Sequence, residues 1–374
     1  PSVPRASVLL AGAGWRLPGP LDLTDPVEVR EVAANRPGDL PAFLGWLDRV
    51  ATSGDRDLIA AGFLTYEAGV VLEGSTRLFR PPETPLAWFG LFRLAGVIRS
   101  AEAPDAGAPE GPARPSDPEA AERAGRDTAQ GDLGEGDWRT AVEAIRGGIA
   151  RGDVYQANLT RRIVRPSRVE ARRLAALLAD DNPVPYAICV ETGGVAVVSN
   201  SPELFLDVEP GSRRVSSAPI KGTVPRLLGG SEATARAALL DSEKDAAEHL
   251  MIVDLIRNDL GRVCEAGSVR VPALRAVRSF RHLHHLESTV AGTLRPGTAL
   301  SDLLSATLPG GSITGAPKRA ALGFIRRLEP VARGPYTGAA GYVRGDGAVV
   351  LNVAIRTAVV SEDRVAYHAG GGIV

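Results

Sequence analysis

Cysteine, methionine and aromatic residues are scarce in this sequence. It has two cysteines, Cys189 and Cys264, one methionine, and an aromatic content of 5%. So few cysteines argue against a disulfide framework and suit a reducing cytoplasm. Because both cysteines lie in apolar surroundings, we interpret them as buried filler rather than as reactive thiols.

The sequence also lacks net charge and long apolar runs. The 43 basic and 44 acidic side chains leave a formal net charge of −1, which gives no support to nucleic-acid or membrane-surface binding. No apolar run approaches the ~18 residues of a membrane span, and no secretory leader is evident. The abrupt ends at Pro1 and Val374, the latter just after a strand-like run, lead us to expect that residues are missing at both ends.

A change in composition divides the chain into three parts. Residues 1–100 carry short apolar runs separated by turns, a pattern typical of strands. Residues 101–136 are dominated by Ala, Pro, Gly and acidic residues, which bury too little apolar surface to order themselves, so we predict a flexible connector there. Residues 137–374 form the third part, and Asp137 is predicted to be the N-cap of its first helix.

The third part is mostly β-structure with a few helices. A Gly193-Gly194 turn between two strand-like runs predicts a hairpin. The longest helix is predicted to begin at Ser242 and to end near Leu260, with Asp245 in a capping-box-like position. Since most strand-like runs are linked as hairpins, we predict an α+β fold with antiparallel sheets rather than a doubly wound parallel sheet.

One lysine occupies an unusual place. The segment Pro219-Ile-Lys-Gly-Thr223 puts Lys221 in a predicted turn, directly after a strand-like run. An exposed lysine is protonated at neutral pH and is a poor nucleophile, whereas burial or a nearby cation frees its amine. Lys221 is therefore either a solvated turn residue or a nucleophile at the wall of a pocket.

Two carboxylates, Asp245 and Glu248, are three residues apart near the beginning of the longest predicted helix. This spacing puts them on one helix face. Together they could hold Mg²⁺, a hard cation that prefers oxygen ligands. The alternative is that they only complement the positive end of the helix dipole.

Two further patterns match known sites poorly. Segment Gly310-Gly-Ser-Ile-Thr-Gly-Ala-Pro-Lys318 has glycines at phosphate-loop spacing, but Ala316 stands where the lysine belongs and Pro317 removes an amide donor. A simpler anion site at the next helix N-terminus stays open. The three histidines at positions 282, 284 and 285 match no standard zinc spacing, and we interpret them as structural.

Arg356 lies in the apolar run Val353–Thr357, which predicts a strand. A charged residue in such a place is rarely buried unless it is paired. Its partner is either an internal carboxylate or the carboxylate of a substrate, which a guanidinium binds with two parallel hydrogen bonds. The glycines Gly370–Gly372 permit close approach of the backbone to a ligand, or they form a turn.

Taken together, these segments resemble the chorismate-utilising enzymes, which include anthranilate, aminodeoxychorismate, isochorismate and salicylate synthases. The resemblance is collinear from Gly152 to the end of the sequence. It is carried by Gly152-Asp-Val-Tyr-Gln-Ala-Asn-Leu159, Ser201-Pro-Glu203, Pro219-Ile-Lys-Gly-Thr223, Ala247-Glu-His-Leu-Met-Ile-Val-Asp-Leu-Ile-Arg-Asn-Asp259, His285-Leu-Glu-Ser-Thr-Val290, Pro309-Gly-Gly-Ser-Ile-Thr-Gly-Ala-Pro-Lys318, Gly341-Tyr342, Ile355-Arg356 and Ala369-Gly-Gly-Gly-Ile-Val374.

The resemblance implies one α+β unit, in which two antiparallel β-sheets pack as a sandwich with helices on the outside. It also makes Lys221 the discriminating residue, because anthranilate synthases usually carry alanine there and the branch that makes 4-amino-4-deoxychorismate carries lysine. In that branch the lysine attacks C2 of chorismate, the 4-hydroxyl leaves, and ammonia then enters at C4 and expels the lysine. The product supplies p-aminobenzoate for folate or specialised metabolism. The closest alternative is anthranilate synthase component I; isochorismate synthase and a non-catalytic chorismate-binding subunit are further alternatives.

Other roles follow from the resemblance by position. Glu203 is expected to transfer a proton to the departing hydroxyl. Glu248 and Asp245 are expected to bind Mg²⁺, with the shorter Asp245 acting through a water. The expected contacts of the chorismate ring and its carboxylates are Gly222, Thr223, His285, Ser312, Thr314, Tyr342, Arg356, Gly370, Gly371 and Gly372.

Two expectations concern components outside the sequence. Neither cysteine lies in the context of a glutaminase nucleophile, so the resemblance implies a separate glutamine amidotransferase subunit, or free ammonia in vitro. Relatives also continue past Ile373-Val374 with a short acidic segment that adds a carboxylate to the magnesium site. We expect that this segment is missing here by truncation.

Overall fold

Residues 6–96, 130–227 and 230–374 are described by the computed structural model. Their strands are β1 (Ser7–Ala11), β2 (Leu21–Thr24), β3 (Glu28–Val32), β4 (Leu58–Leu64), β5 (Ala87–Arg93), β6 (Gln130–Gly131), β7 (Gln156–Pro166), β8 (Tyr186–Glu191), β9 (Ala196–Ser201), β10 (Leu204–Val208), β11 (Arg214–Ala218), β12 (Ile220–Pro225), β13 (Arg270–Ser279), β14 (Leu283–Thr293), β15 (Gly315–Ala316), β16 (Ala339–Arg344), β17 (Val349–Val353), β18 (Thr357–Val360) and β19 (Arg364–Ile373). Their helices are α1 (Leu40–Ala51), α2 (Tyr66–Leu72), α3 (Glu135–Ala150), α4 (Ala171–Asp181), α5 (Glu232–Asp241), α6 (Glu243–Gly261), α7 (Leu300–Thr307) and α8 (Lys318–Leu328).

The strands form two large sheets. Within the described residues, the first sheet has nine strands in the order β15-β7-β19-β18-β9-β8-β1-β2, with β6 paired to β7. In the same part of the chain, the second sheet has ten strands in the order β12-β14-β11-β10-β17-β16-β4-β5-β3, with β13 paired to β14. Each pairing between these strands is antiparallel. The predicted α+β class with antiparallel sheets is confirmed.

The two sheets pack face to face as a sandwich, and helices cover the outer faces. Successive side chains of a strand point to opposite faces, so one strand serves both layers. In β4, Phe63 belongs to the core between the sheets, whereas Leu64 packs with the core formed with α1, α6 and α7. In β8, Val190 faces the second sheet and Cys189 faces α4. The structure therefore has the predicted arrangement of layers.

Strands from residues 6–96 belong to both sheets. Strand β1 pairs with β8, and β4 pairs with β16, so the first and third parts of the chain share each sheet. Residues 1–5 and 97–129, which include most of the predicted connector 101–136, lie outside the described residues. The end of that connector contains β6 and the first residues of α3.

Several local predictions are confirmed. The Gly193-Gly194 turn joins the antiparallel pair β8 and β9. Ser242 is the N-cap of α6, and its hydroxyl accepts a hydrogen bond from the Asp245 N–H. Cys189 and Cys264 are buried and unpaired, and desolvation raises the pKa of both thiols, so they are inert filler as expected.

Three local predictions need correction. Helix α3 begins at Glu135 with Gly134 as its N-cap, so Asp137 lies in the first turn, where its charge complements the helix dipole. Lys221 lies in a strand, β12, and not in a turn. Arg356 lies between β17 and β18 and not in a strand, because the run Val353–Thr357 spans the point where the chain passes from the second sheet to the first.

No helix among the described residues is long and apolar enough to cross a membrane.

Candidate active site

The candidate site lies where two strand connections pass between the sheets. Glu203 stands between β9 of the first sheet and β10 of the second, and Arg356 stands between β17 and β18. The two passages are bonded to each other: the Val353 N–H donates to the Glu203 carbonyl at 3.0 Å, and the Asn200 N–H donates to the Arg356 carbonyl at 3.1 Å. This pairing brings a carboxyl group and a guanidinium from distant parts of the sequence into one region.

Lys221 lies at an irregularity of β12. The register with β14 shifts between Ile220 and Thr223, so β12 carries an extra residue in this stretch. Gly222 adopts φ +88°, a conformation that favours glycine. A glycine with positive φ is typical of turns as well as of bulges, which explains why the sequence predicts a turn where the structure has a strand.

The Lys221 amine forms an ion pair with α6. Its Nζ lies 2.7 Å from Oε2 of Glu248, and the Lys221 side chain is 23% exposed against 10% for Glu248. A second cation, Lys244 Nζ, lies 3.8 Å from Oε1 of Glu248 and is 75% exposed. Asp245 borders the same bulge, since a methyl group added at Gly222 would lie 3.5 Å from its Cβ. The predicted amine and both predicted carboxylates are thus together.

Glu203 is a buried carboxyl group beside Lys221. Burial raises its pKa from 4.5 to about 7, and a hydrogen bond from Ser312 Oγ, a backbone hydrogen bond at Ile220 and the charge of Lys221 oppose that rise. The Ser312 Oγ to Glu203 Oε1 distance is 3.0 Å. A carboxyl group with a pKa near 7 can hold a proton at neutral pH and release it, which general acid catalysis requires.

His285 joins the bulge to Arg356. Its Nδ1 lies 2.7 Å from Thr223 Oγ1, and its Nε2 lies 3.4 Å from Arg356 Nη2. Burial and the Arg356 charge lower the pKa of His285 to about 4, so its ring is neutral at physiological pH. Among the described residues no carboxylate forms a salt bridge with Arg356, whose backbone has φ +50°. Its guanidinium therefore remains available to a carboxylate of a ligand.

The glycines of β19 pair with β7, which contacts the loop that carries Ser312. Gly370 and Gly372 lie opposite Thr160 and Asn158 of β7. The Asn158 side chain donates to the Ser312 carbonyl at 3.2 Å, which connects this strand pair to the loop that bonds Glu203. A Cβ at Gly370 would come within 2.2 Å of the Leu159 carbonyl oxygen, so glycine is required there for close strand packing.

Tyr342 and Thr314, which are two further predicted ligand contacts, use their side-chain hydroxyls for internal hydrogen bonds. Tyr342 is 1% exposed in the core between the sheets, and its hydroxyl donates to the Trp15 carbonyl at 2.7 Å. In a strand buried on both faces the sequence gives no sign of which sheet face a residue occupies. Thr314 is fully buried, and its hydroxyl donates to the Gly310 carbonyl at 2.9 Å, so it fixes the loop that carries Ser312.

The segment 310–318 is a structural loop rather than a phosphate cradle. Gly315 pairs with Ala157 of β7, and a Cβ there would lie 2.1 Å from the Gln156 carbonyl oxygen. Lys318 Nζ forms a buried ion pair with Asp259 Oδ2 at 2.9 Å. Close packing and this ion pair explain the motif without a bound anion.

Only one of the three clustered histidines faces the site. His282 Nε2 lies 3.1 Å from the Asp181 carbonyl oxygen, and His284 Nδ1 lies 2.9 Å from Ser279 Oγ. His285 alone contacts Thr223 and Arg356. The rings of His282 and His284 thus make hydrogen-bond contacts within the fold and do not contact the candidate site.

The donor chemistry of α6 fits Mg²⁺. Glu248 and Asp245 offer carboxylate oxygens one helical turn apart beside the bulge, and Mg²⁺ is commonly held by one or two carboxylates with water and substrate oxygens. No cluster of three or more His, Cys, Asp or Glu side chains suited to a metal occurs in the described ranges. The chain would therefore supply two ligands at this place, with oxygens from water or substrate completing the shell.

One residue at the site escaped the sequence reasoning. His249 follows Glu248 and is fully buried. Its Nδ1 lies 3.3 Å from the Lys221 carbonyl oxygen, and its Nε2 lies 2.5 Å from Ser288 Oγ. Desolvation by burial lowers the pKa of the His249 ring. A histidine beside a predicted metal ligand was the only signal in the sequence.

Comparison with known proteins identifies the family and the fold. The sequence model of a family described as chorismate binding enzyme matches residues 26–374. An aminodeoxychorismate synthase of Streptomyces pristinaespiralis is 42% identical over 238 residues, which are 63% of this chain and 33% of that protein. An anthranilate synthase component 1 of Streptomyces coelicolor is 39% identical over 326 residues, 84% of this chain and 62% of that protein.

A solved structure gives the same result for the fold. The anthranilate synthase component I of Streptococcus pneumoniae superposes with a TM-score of 0.75 at 27% identity, covering all of this chain and 88% of that chain. The chain spans about a third of the length of the first relative and 62% of the second. Relatives with two different products are thus similar to this chain to nearly the same degree.

Proposed function

The chain belongs to the family of chorismate-binding enzymes, and from this premise we propose that it converts chorismate and ammonia into 4-amino-4-deoxychorismate. The observation that carries the proposal is the position of Lys221. Its amine lies on the β12 bulge beside Glu203, and Arg356, which has no carboxylate partner among the described residues, contacts His285 in the same region. A nucleophile, an acid and a carboxylate-binding cation are what a covalent substitution on a carboxylated ring requires.

In the first step Lys221 gives one proton to Glu248, its ion-pair partner at 2.7 Å, and the amine then forms a bond with C2 of chorismate. The two ring double bonds shift, the bond between C4 and its hydroxyl oxygen breaks, and Glu203 gives that oxygen a proton so that water leaves. The pKa of Glu203, raised by burial to about 7, suits this donation at neutral pH. A substitution that ammonia would have to make in one step is thereby divided into two.

In the second step ammonia forms a bond with C4, the double bonds shift back, and the bond between C2 and Nζ breaks. The released amine of Lys221 returns to its place beside Glu248. Arg356 would bind a carboxylate of the substrate throughout, and Thr223 fixes the neutral His285 ring against it. Mg²⁺ at Glu248 and Asp245 would offset the charge of the ring carboxylate.

Anthranilate synthesis is the second candidate. It is supported by the similarity to the Streptomyces coelicolor anthranilate synthase component 1, which covers 84% of this chain. In that reaction ammonia itself attacks C2, so no lysine is needed. Lys221 is what favours the first candidate over the second.

The nitrogen source is part of the proposal. We infer that ammonia comes from a separate glutamine amidotransferase subunit and that free ammonium replaces it at high concentration. The product would feed p-aminobenzoate and folate synthesis or a specialised pathway. Activity with glutamine should appear only when such a subunit is added.

A product assay tests the proposal. The purified protein is incubated with chorismate, Mg²⁺ and ammonium, and products are separated by chromatography and identified by mass. We expect p-aminobenzoate to appear only after an aminodeoxychorismate lyase is added. Fluorescent anthranilate without the lyase would overturn the proposal in favour of the second candidate.

A pair of lysine variants makes the test specific. Lys221→Ala should abolish 4-amino-4-deoxychorismate formation, whereas Lys244→Ala removes the other amine near Glu248 and should leave most activity. With ammonium withheld, intact-protein mass spectrometry of the wild type should detect an adduct of chorismate less one water. Retention of full activity by Lys221→Ala would contradict covalent catalysis.

A further inference from the structure

His249 contacts the backbone of the proposed nucleophile. Its ring contacts two paired strands of the second sheet, with Nδ1 3.3 Å from the Lys221 carbonyl oxygen on β12 and Nε2 2.5 Å from Ser288 Oγ on β14. The residue has no exposed surface. Both polar atoms of a fully buried ring therefore have partners.

The direction of these hydrogen bonds is determined by their partners. The Ser288 hydroxyl oxygen accepts from the Arg275 N–H at 2.9 Å, so its own proton is free to be donated to His249 Nε2. The ring then carries its proton on Nδ1 and donates it to the Lys221 carbonyl, which can only accept. The three bonds run in one direction, from β13 through Ser288 and His249 to the bulge.

The His249 donor bonds a part of the backbone where the β12–β14 hydrogen-bond ladder is irregular. The β12–β14 register is regular on either side, with Ile220 opposite Glu287 and Thr223 opposite His285, and it slips between them at Lys221 and Gly222. A residue in a bulge lacks regular ladder partners. The His249 donor provides a fixed point for the Lys221 backbone where the ladder does not.

Helix α6 thus holds Lys221 at two places through two consecutive residues. Glu248 pairs with the Nζ atom at 2.7 Å, and His249 bonds the carbonyl oxygen at 3.3 Å. An ion pair alone restrains the end of a long side chain but not the direction in which the side chain leaves the strand. The backbone contact restrains that direction.

We propose that His249 is a positioning residue for Lys221: by donating from Nδ1 to the Lys221 carbonyl, it keeps the bulge in the form that presents the amine to the substrate ring. The inference rests on the proposed function, since it assumes that the amine forms a bond with C2. A misplacement of about 1 Å can cost about 10²-fold in rate, because covalent attack needs aligned atoms. Arg356 stands on the connection between β17 and β18 and not on the bulge, so we expect substrate binding to change less than the rate of attack.

Two amide substitutions separate the two ring contacts. In His249→Asn the side-chain amide nitrogen takes the place of Nδ1 and keeps the bond to Lys221, while the contact with Ser288 is lost. In His249→Gln the amide takes the place of Nε2 and keeps the contact with Ser288, while the bond to Lys221 is lost. The variants are therefore matched in chemistry and differ in which strand they hold.

The readouts are kcat and KM for chorismate, and the rate at which the chorismate adduct forms without ammonium. We expect His249→Gln to lower kcat and the adduct rate by about 10- to 100-fold with KM changed less than about threefold. His249→Asn should stay within about fivefold of the wild type. The inference would be overturned if His249→Gln and His249→Asn had the same kcat. It would also be overturned if the loss of kcat in each variant were in proportion to its loss of thermal stability.

Ser288→Ala provides a milder variant in case the histidine substitutions do not fold. It removes the hydroxyl that fixes the His249 ring and leaves the histidine in place. A drop in kcat of about three- to tenfold at constant KM is expected, and an unchanged kcat would count against the relay.

The outcome can be separated from that of the proposed function. If Lys221→Ala keeps full activity, the covalent mechanism fails whatever the His249 variants do. If Lys221→Ala is inactive and His249→Gln is fully active, the mechanism stands and the positioning role fails.

Discussion

Replacement of Glu203 by glutamine should make the protein more stable above neutral pH while removing its activity. Burial raises the pKa of this carboxyl from 4.5 to about 7, so the folded state favours the protonated form. A group of this kind contributes its full stability below pH 4.5 and loses it as the pH rises to about 7. The difference of roughly 2.5 pKa units corresponds to about 3 kcal/mol of unfolding free energy.

The surroundings of Glu203 can accept the neutral amide. The carboxyl group accepts hydrogen bonds from Ser312 Oγ and from the backbone at Ile220. In the glutamine variant the amide oxygen can accept from that backbone group, and the amide nitrogen can donate to the Ser312 oxygen, since a hydroxyl either donates or accepts. The variant therefore gives up the buried charge without leaving a buried polar atom unpaired.

The assay is urea unfolding of the wild type and Glu203→Gln between pH 4 and pH 8. We expect equal unfolding free energies near pH 4 and a gap of about 3 kcal/mol in favour of the variant at pH 8. Glu31→Gln, at an exposed position of β3, is the control and should follow the wild type at every pH. Parallel curves for the wild type and Glu203→Gln would refute a raised pKa at Glu203.

Three further predictions concern neighbouring charges. Lys221→Met should tighten Mg²⁺ binding about fivefold in calorimetry, because the amine 2.7 Å from Glu248 competes with the metal, whereas Glu248→Gln should remove binding. Arg356→Gln should raise KM for chorismate about 10- to 100-fold in steady-state kinetics, and an unchanged KM would exclude a contact with the substrate carboxylate. Lys318→Met should cost about 3–5 kcal/mol in urea unfolding by leaving Asp259 buried without its cation, and adding Asp259→Leu should restore most of that loss.

Features that depend on short stretches of sequence were predictable. Helix α6 and its Ser242 cap follow from local spacing, and the β8–β9 hairpin follows from two adjacent glycines. The antiparallel α+β class follows from the prevalence of hairpin-linked strands. Each of these signals lies within a few residues of the structure that it specifies.

Features of the site that depend on distant pairing were not predictable from local signals. The bulge at Lys221 exists because β12 pairs with β14, and α5, α6 and β13 separate these two strands in the sequence. The break at Arg356 exists because the chain passes between sheets there, and a run of apolar residues gives no sign of that passage. His249 contacts the Lys221 carbonyl and Tyr342 contacts the Trp15 carbonyl. Both contacts join residues that are distant in the sequence, so no local pattern indicates them.

The position of β19 in the first sheet has a consequence for folding during synthesis. Residues Arg364–Ile373 pair with β7 on one side, and β18 lies on the other, so the sheet has a gap until these late residues leave the ribosome. Before β18 and β19 emerge, β9 and β7 have exposed, unpaired edges in a chain already hundreds of residues long, and such edges invite aggregation. We expect nascent chains to depend on chaperones for longer than those of proteins whose domains close one after another.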